Sequence, residues 1–133
     1  VAFYCVWLFL WDDAIDGAAE GELAAEEYCR QSIAFVEYSL GLGEPGAPAP
    51  VAPTKVCESF ADVGKRVTGY CGLEERKRFM GSLSWYMEAC VTEYRWRLSG
   101  RVPSVGEFYS WRLGTSSVDA ALDLTRFGVP RRI

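Results

Sequence analysis

Val1-Ala-Phe-Tyr-Cys-Val-Trp-Leu-Phe-Leu-Trp11 is apolar throughout and passes directly into Asp12-Asp13-Ala-Ile-Asp16. The run is too short to cross a bilayer, and it has neither the basic start nor the cleavage site of a signal peptide. It reads as a buried helix with an acidic end, and that end needs a partner. An ionised carboxylate loses its water beside buried surface, and negative charge is unfavourable near a helix C-terminus. Asp12 and Asp16 are four residues apart and so share a helical face. A cation would remove the penalty. Hard oxygen ligands with open positions suit Mg²⁺, which keeps several waters and is completed by substrate phosphates. Asp12, Asp13 and Asp16 are therefore candidate metal ligands at the rim of an apolar cavity. The plain alternative is that the first two merely end a buried helix.

Working outward, the first helix covers roughly Val1 to Asp16 and stops near Gly17. From about Glu22 to Leu40, Cys29, Ile33, Val36 and Leu40 recur at helical spacing, with Gly41 as the stop. Four of the six prolines then cluster between Gly41 and Pro53. Proline removes backbone donors and glycine loosens the chain, so residues of about 41–54 form an inserted surface loop. A third helix over Lys55 to Tyr70 carries Val56, Phe60, Val63 and Val67 on one stripe. A fourth, from Glu74 to Leu98, turns Phe79, Leu83, Tyr86, Cys90 and Tyr94 inward. Ser104-Val-Gly-Glu107, just after Pro103, is a capping box and opens a helix through Arg112. Gly114-Thr-Ser-Ser117 interrupts it, and helicity resumes from Val118 to Arg126. No segment alternates as a strand does. The fold class is all-α.

The chain has 133 residues, enough for one domain, and is half hydrophobic and 14% aromatic, which is a globular composition. A net charge of −4 argues against a nucleic-acid partner, which would call for a basic face. Histidine and asparagine are absent. That removes Ser-His-Asp and Cys-His catalysis, histidine-zinc sites and the usual general base. Ionising an allylic diphosphate suits what is left. Its leaving group is stabilised by Mg²⁺ and arginine, and no strong base starts the reaction. The five cysteines contain no C-x-x-C, and four sit in apolar helical contexts. They read as core residues in a reducing, cytoplasmic setting, with no disulfide framework.

A helix broken right after Arg112 is a second candidate site. Arginine offers a planar fork matched to phosphate oxygens, and Thr115 and Ser116 follow one turn later. Read alone, it is better explained as a surface arginine beside an incidental kink. Glu93 and Arg97 form an i,i+4 pair, which reads as a solvated salt bridge.

Together the two constellations resemble the class I terpene synthases of fungi and bacteria. The aromatic helix running into Asp12-Asp-Ala-Ile-Asp16 is the first match. Glu93-Tyr-Arg-Trp-Arg97, Gly100-Arg-Val-Pro103 and Phe108-Tyr-Ser-Trp-Arg112-Leu-Gly-Thr115 are the second, in the order of the family's E-x-x-x-R, G-x-x-P and Y-x-x-x-R-x-x-T. The resemblance covers essentially the whole chain. It implies the helical bundle of class I isoprenoid synthases, folding an isoprenyl diphosphate, by default farnesyl diphosphate, into an apolar pocket to give a cyclic sesquiterpene of secondary metabolism. Asp12 then looks like the main Mg²⁺ ligand, with Asp13 and Asp16 as helpers, in a site that in the complete family usually holds three ions. Arg112 matches the diphosphate-sensing arginine, Thr115 the linker after it, and Ser116 the effector whose carbonyl faces the reacting carbon. Leu8, Phe9 and Cys5 share the Asp12 face, and each either lines the substrate pocket or packs in the core. A homodimer is compatible with this reading, and a membrane span is not part of it.

One element of the family is missing. The second metal motif, N-D-x-x-S-x-x-x-E, cannot occur without asparagine, and neither a variant of it nor the C-terminal Arg-Tyr pair is present. The expectation is a partial terpene synthase domain over residues 1–133, running from the aspartate helix to the sensor helix. It should be inactive alone and should leave an apolar face exposed. Two alternatives stand beside it. A chain-elongating isoprenyl diphosphate synthase would need a second D-D-x-x-D and basic residues soon after Asp16, and none precedes Arg30. The second is a non-catalytic helical fragment, arisen by decay or because only this piece is made; the intact Asp12, Asp13, Asp16 and Arg112 argue against decay.

Overall fold

Tyr4, Trp7, Trp11 and Ile15 recur every three or four residues, so a helix through them turns one aromatic face inward. In a computed structural model that describes residues 2–18 and 22–128, with the side chains of 16–18, 22, 23 and 128 outside the description, this helix is α1, Ala2–Ala18. All four side chains are at most 3% exposed. Trp7 and Trp11 stack with centroids 6.3 Å apart, Phe60 meets Trp7 edge-on at 4.7 Å, and Tyr28 and Tyr86 flank Trp11 at 5.7 and 5.8 Å. Both buried indoles are satisfied: Trp7 Nε1 donates to the Val56 carbonyl at 3.0 Å and Trp11 Nε1 to Ser32 Oγ at 3.1 Å. A buried donor left without a partner would cost about 1–3 kcal/mol.

Around this face stand α2 (Glu22–Ser39), α3 (Lys55–Glu58), α4 (Phe60–Tyr70), α5 (Leu73–Ser99), α6 (Val105–Thr115) and α7 (Val118–Gly128). Among the described residues there is no strand, as the all-α reading requires. The long α5 is the central element, with α2, α6 and α7 packed against it, while α1 packs on α2, α3 and α4. Its expected inward residues Phe79, Leu83, Tyr86, Cys90 and Tyr94 are all buried. Residues 40–54 form the expected loop, and all five cysteines are free thiols.

Beyond other shifts of one or two residues at helix ends, three differences from the sequence reading have a physical cause. The helix expected over Lys55–Tyr70 is two, because Ser59 closes the first: its Oγ donates to the Val56 carbonyl at 2.6 Å, and its amide to Lys55 at 3.1 Å. Serine competes with the helix ladder in this way. Next, α1 continues through Gly17 to Ala18, since one glycine near a helix end costs only about 1 kcal/mol. Finally, Gly114 does not break α6. A Cβ there would lie 2.9 Å from Ala89 Cβ and 3.2 Å from the Trp85 ring, so this glycine serves the close approach of α6 to α5. The break falls later, at Ser116 and Ser117.

Candidate active site

Asp12 and Arg112, one hundred positions apart in sequence, line the same pocket. Asp12 comes from the last turns of α1, Cys90, Glu93 and Arg97 from α5, and Arg112 and Thr115 from the end of α6, with Ile15 as an apolar edge. The pocket holds about 90 Å³, well above the ~10–15 Å³ that a single water needs.

The core holds Asp12 from one side. Its Oδ1 accepts a hydrogen bond from the Tyr86 hydroxyl at 3.2 Å and lies 3.8 Å from the Cys90 thiol. Burial pushes the titration of both groups up, and the Asp12 charge beside them adds to it, so both stay protonated and act as donors. The other carboxylate oxygen has no hydrogen-bond partner among the described residues. Asp13 is exposed on the next position of α1. Asp16 belongs to α1, but its side chain lies outside the described residues.

Arg112 is exposed, and its guanidinium has no hydrogen bond or ion pair among the described residues. Thr115, half-buried, donates from Oγ1 to the Arg112 carbonyl at 3.4 Å. Ser116 is exposed; its amide donates to the same carbonyl at 3.1 Å and its Oγ to Leu113 at 3.0 Å. Glu93 and Arg97, read from spacing as a solvated pair, both stand on the pocket wall. Leu8 and Cys5 are half-buried against the core, while Phe9 is 70% exposed; none of the three lines the polar pocket.

No three His, Cys, Asp or Glu side chains form a ready cage for an ion among the described residues. What the pocket offers is the free oxygen of Asp12, the carboxylate of Glu93 and a thiol kept protonated. The two carboxylates fit a hard, oxygen-seeking ion completed by ligand oxygens. A larger recess of about 380 Å³ shares Glu93, Arg97, Arg112 and Thr115 with the polar pocket. Its remaining wall includes Trp96 and Trp111, which meet edge to face with centroids 5.9 Å apart.

The family model described as terpene synthase family 2, C-terminal metal binding, matches residues 4–133. The chain belongs to the terpene synthase family. The sesquiterpene cyclase hepA of Aspergillus oryzae is 27% identical to it over 98% of this chain and 39% of that protein. The 10-epi-cubebol synthase of Sorangium cellulosum is 30% identical over 86% of this chain and 35% of that protein. This terpene synthase chain thus spans well under half the length of the curated relatives it matches. No solved structure matches it significantly. Among the described residues, no helix is long and apolar enough to cross a membrane.

Sequence reasoning placed Tyr86 and Cys90 in the core of this terpene synthase but did not connect them to Asp12. The heptad-like spacing that buries them was visible; the reach of a hydroxyl at the end of a ring was not. Glu93 and Arg97 carried a signal too, since both stand on the side of α5 that begins with Cys90.

Proposed function

We propose that this chain supplies one wall of a Mg²⁺-dependent terpene cyclase site that ionises farnesyl diphosphate on the way to a cyclic sesquiterpene. The observation that carries the reading is the meeting of Asp12 with Arg112 and Thr115 around one small polar pocket. Family membership supports it, and the sesquiterpene cyclase among the relatives favours farnesyl diphosphate.

Asp12 would hold the metal through its unpartnered oxygen, with Asp13 and Asp16 beside it on α1. When bound, Mg²⁺ supplies positive charge that stabilises the diphosphate as the carbon–oxygen bond breaks and the electron pair leaves with it. Arg112 offers its donor fork to the same oxygens. Thr115 and Ser116 stand one turn on, where the helix ends and backbone groups become available. Phe9, exposed one turn before Asp12, and Leu8 beside it give apolar surface for the isoprenyl tail. An allylic cation is quenched by water, so turnover needs a closed pocket and a second set of metal ligands. This chain binds the diphosphate without turning it over.

Calorimetric titration of inorganic pyrophosphate into the chain with Mg²⁺ present tests the reading. Arg112→Ala should weaken binding by about tenfold, and Arg112→Lys nearly as much, because the lysine keeps the charge but loses the fork. Asp12→Ala should remove the dependence on Mg²⁺. Incubation with farnesyl diphosphate and Mg²⁺ should give no cyclic product above background. Pyrophosphate binding indifferent to both Arg112 and Asp12 would overturn the assignment.

A further inference from the structure

Ser117, between α6 and α7, has φ 54 and is the one non-glycine residue with positive φ among those described. The left-handed region costs an ordinary L-residue roughly 1–2 kcal/mol, and serine lacks the tolerance that asparagine and aspartate have for it. Such a residue persists only where its surroundings hold it.

Two contacts do so. The Ser117 amide donates to the Gly114 carbonyl at 3.1 Å, and its hydroxyl shares a hydrogen bond of 2.7 Å with the Tyr4 hydroxyl. Ser117 is 4% exposed and Tyr4 is 1% exposed, so water does not compete for this bond. The Tyr4 ring is itself fixed, edge-on to Phe79 at 5.3 Å and beside Trp7 at 6.4 Å. Burial pushes the Tyr4 phenol up, so it stays protonated. On the α6 side of the break, within the helix, Gly114 is pressed against Ala89 and Trp85 of α5. Thr115 and Ser116 lie between these two anchors, and Arg112 lies half a turn before the first.

We propose that Tyr4 is a positioning residue for the diphosphate-binding segment: its hydroxyl holds Ser117 left-handed and so fixes the break from which Arg112, Thr115 and Ser116 are presented. The inference rests on reading Arg112 as the diphosphate-binding arginine. It makes α1 contribute to the site twice, with Asp12 at one end and Tyr4 about two turns earlier. The helix that holds the metal and the turn that presents the arginine are tied by one buried bond.

Tyr4→Phe keeps the ring and removes only the hydroxyl. Pyrophosphate affinity in the presence of Mg²⁺ should fall by about threefold to tenfold, the range of one buried hydrogen bond. Amide hydrogen exchange at residues 115–118 should accelerate, while exchange in the middle of α5 stays as it was. Glycine enters the left-handed region without the cost that the Tyr4 bond offsets, so Ser117→Gly added to Tyr4→Phe should recover most of the lost affinity. In an Arg112→Ala background, Tyr4→Phe should cause a smaller loss of binding than in the unsubstituted chain, since part of its effect runs through Arg112. General loosening of the core would produce neither the glycine rescue nor that coupling. Wild-type affinity in Tyr4→Phe, or a double variant no better than Tyr4→Phe alone, would overturn the proposal. If the unsubstituted chain does not bind pyrophosphate, the reading of Arg112 falls by itself. Exchange at residues 115–118 then decides the role of Tyr4, and unchanged exchange in Tyr4→Phe overturns it.

Discussion

Tyr86 is where the aromatic core reaches the polar pocket. Its ring packs against Trp11 and its hydroxyl meets Asp12 at 3.2 Å, so packing and ligand orientation depend on one side chain. Tyr86→Phe should cost about 1 kcal/mol of unfolding free energy, read from urea denaturation, and should weaken Mg²⁺-dependent pyrophosphate binding. Tyr86→Leu would also forfeit the ring and should be less stable than the phenylalanine variant. If Tyr86→Phe matches the unsubstituted chain in both measurements, the residue only packs. At this scale Asp12 and Arg112 were legible because charge beside an apolar run, and an arginine before a break, are conspicuous against their neighbours. Tyr86 and Tyr4 were not, because the same helical period that marks a core residue hides a hydroxyl at its tip.

Among the helices, α6 shows how far local chemistry can be read. Ser104 and Glu107 form the capping box expected from their spacing: the Ser104 amide donates to Glu107 Oε2 at 2.9 Å and the Glu107 amide to Ser104 Oγ at 3.2 Å. Arg101 adds a bond to Glu107 Oε1 at 2.5 Å. The Ser104 amide first, and Arg101 second, hold the Glu107 carboxyl below the usual glutamate range. A carboxyl lowered on folding contributes to stability while the pH is above its unfolded value, and that contribution is lost as pH falls through the folded one. The first turn of α6 should therefore stay protected at about pH 7 and open as the pH drops below the ordinary carboxylate range, near 4. Amide protection factors at residues 104–108 across that range, each taken relative to the intrinsic exchange rate at its pH, check it with Glu107→Gln as the comparison; equal protection factors at both ends of the range would count against the box. The breaks at Ser59 and Ser117 were harder to place. Whether a serine interrupts a helix depends on tertiary neighbours, here the Tyr4 hydroxyl for Ser117, and Gly114 was misread because a glycine that permits close packing looks in sequence like one that ends a helix.

On the scale of the whole molecule, the inward face of α1 is fully covered while its outer face is not: Phe3 and Val6 are 60% exposed, Phe9 70% and Leu10 49%. A second apolar surface lies on α6, where Val105, Phe108, Tyr109 and Leu113 are 50–73% exposed. Monomers rarely leave contiguous apolar patches above a few hundred Å² uncovered. The chain should therefore associate with itself as concentration rises, and Phe9→Glu with Val6→Lys should shift sedimentation toward monomer without lowering helix content. A sedimentation coefficient independent of concentration would contradict this. The all-α class was legible because apolar period persists through nearly every segment; which helix would be central was not, since that depends on packing between residues far apart in sequence. The indoles divide along the same lines. Trp7 and Trp11 are sealed in the core, whereas Trp96 and Trp111 meet at 88° on the wall of the recess that shares Arg112. Whatever approaches that guanidinium enters the surroundings of this indole pair and should change its near-ultraviolet circular dichroism, so this corner of the protein would carry an optical label of its own.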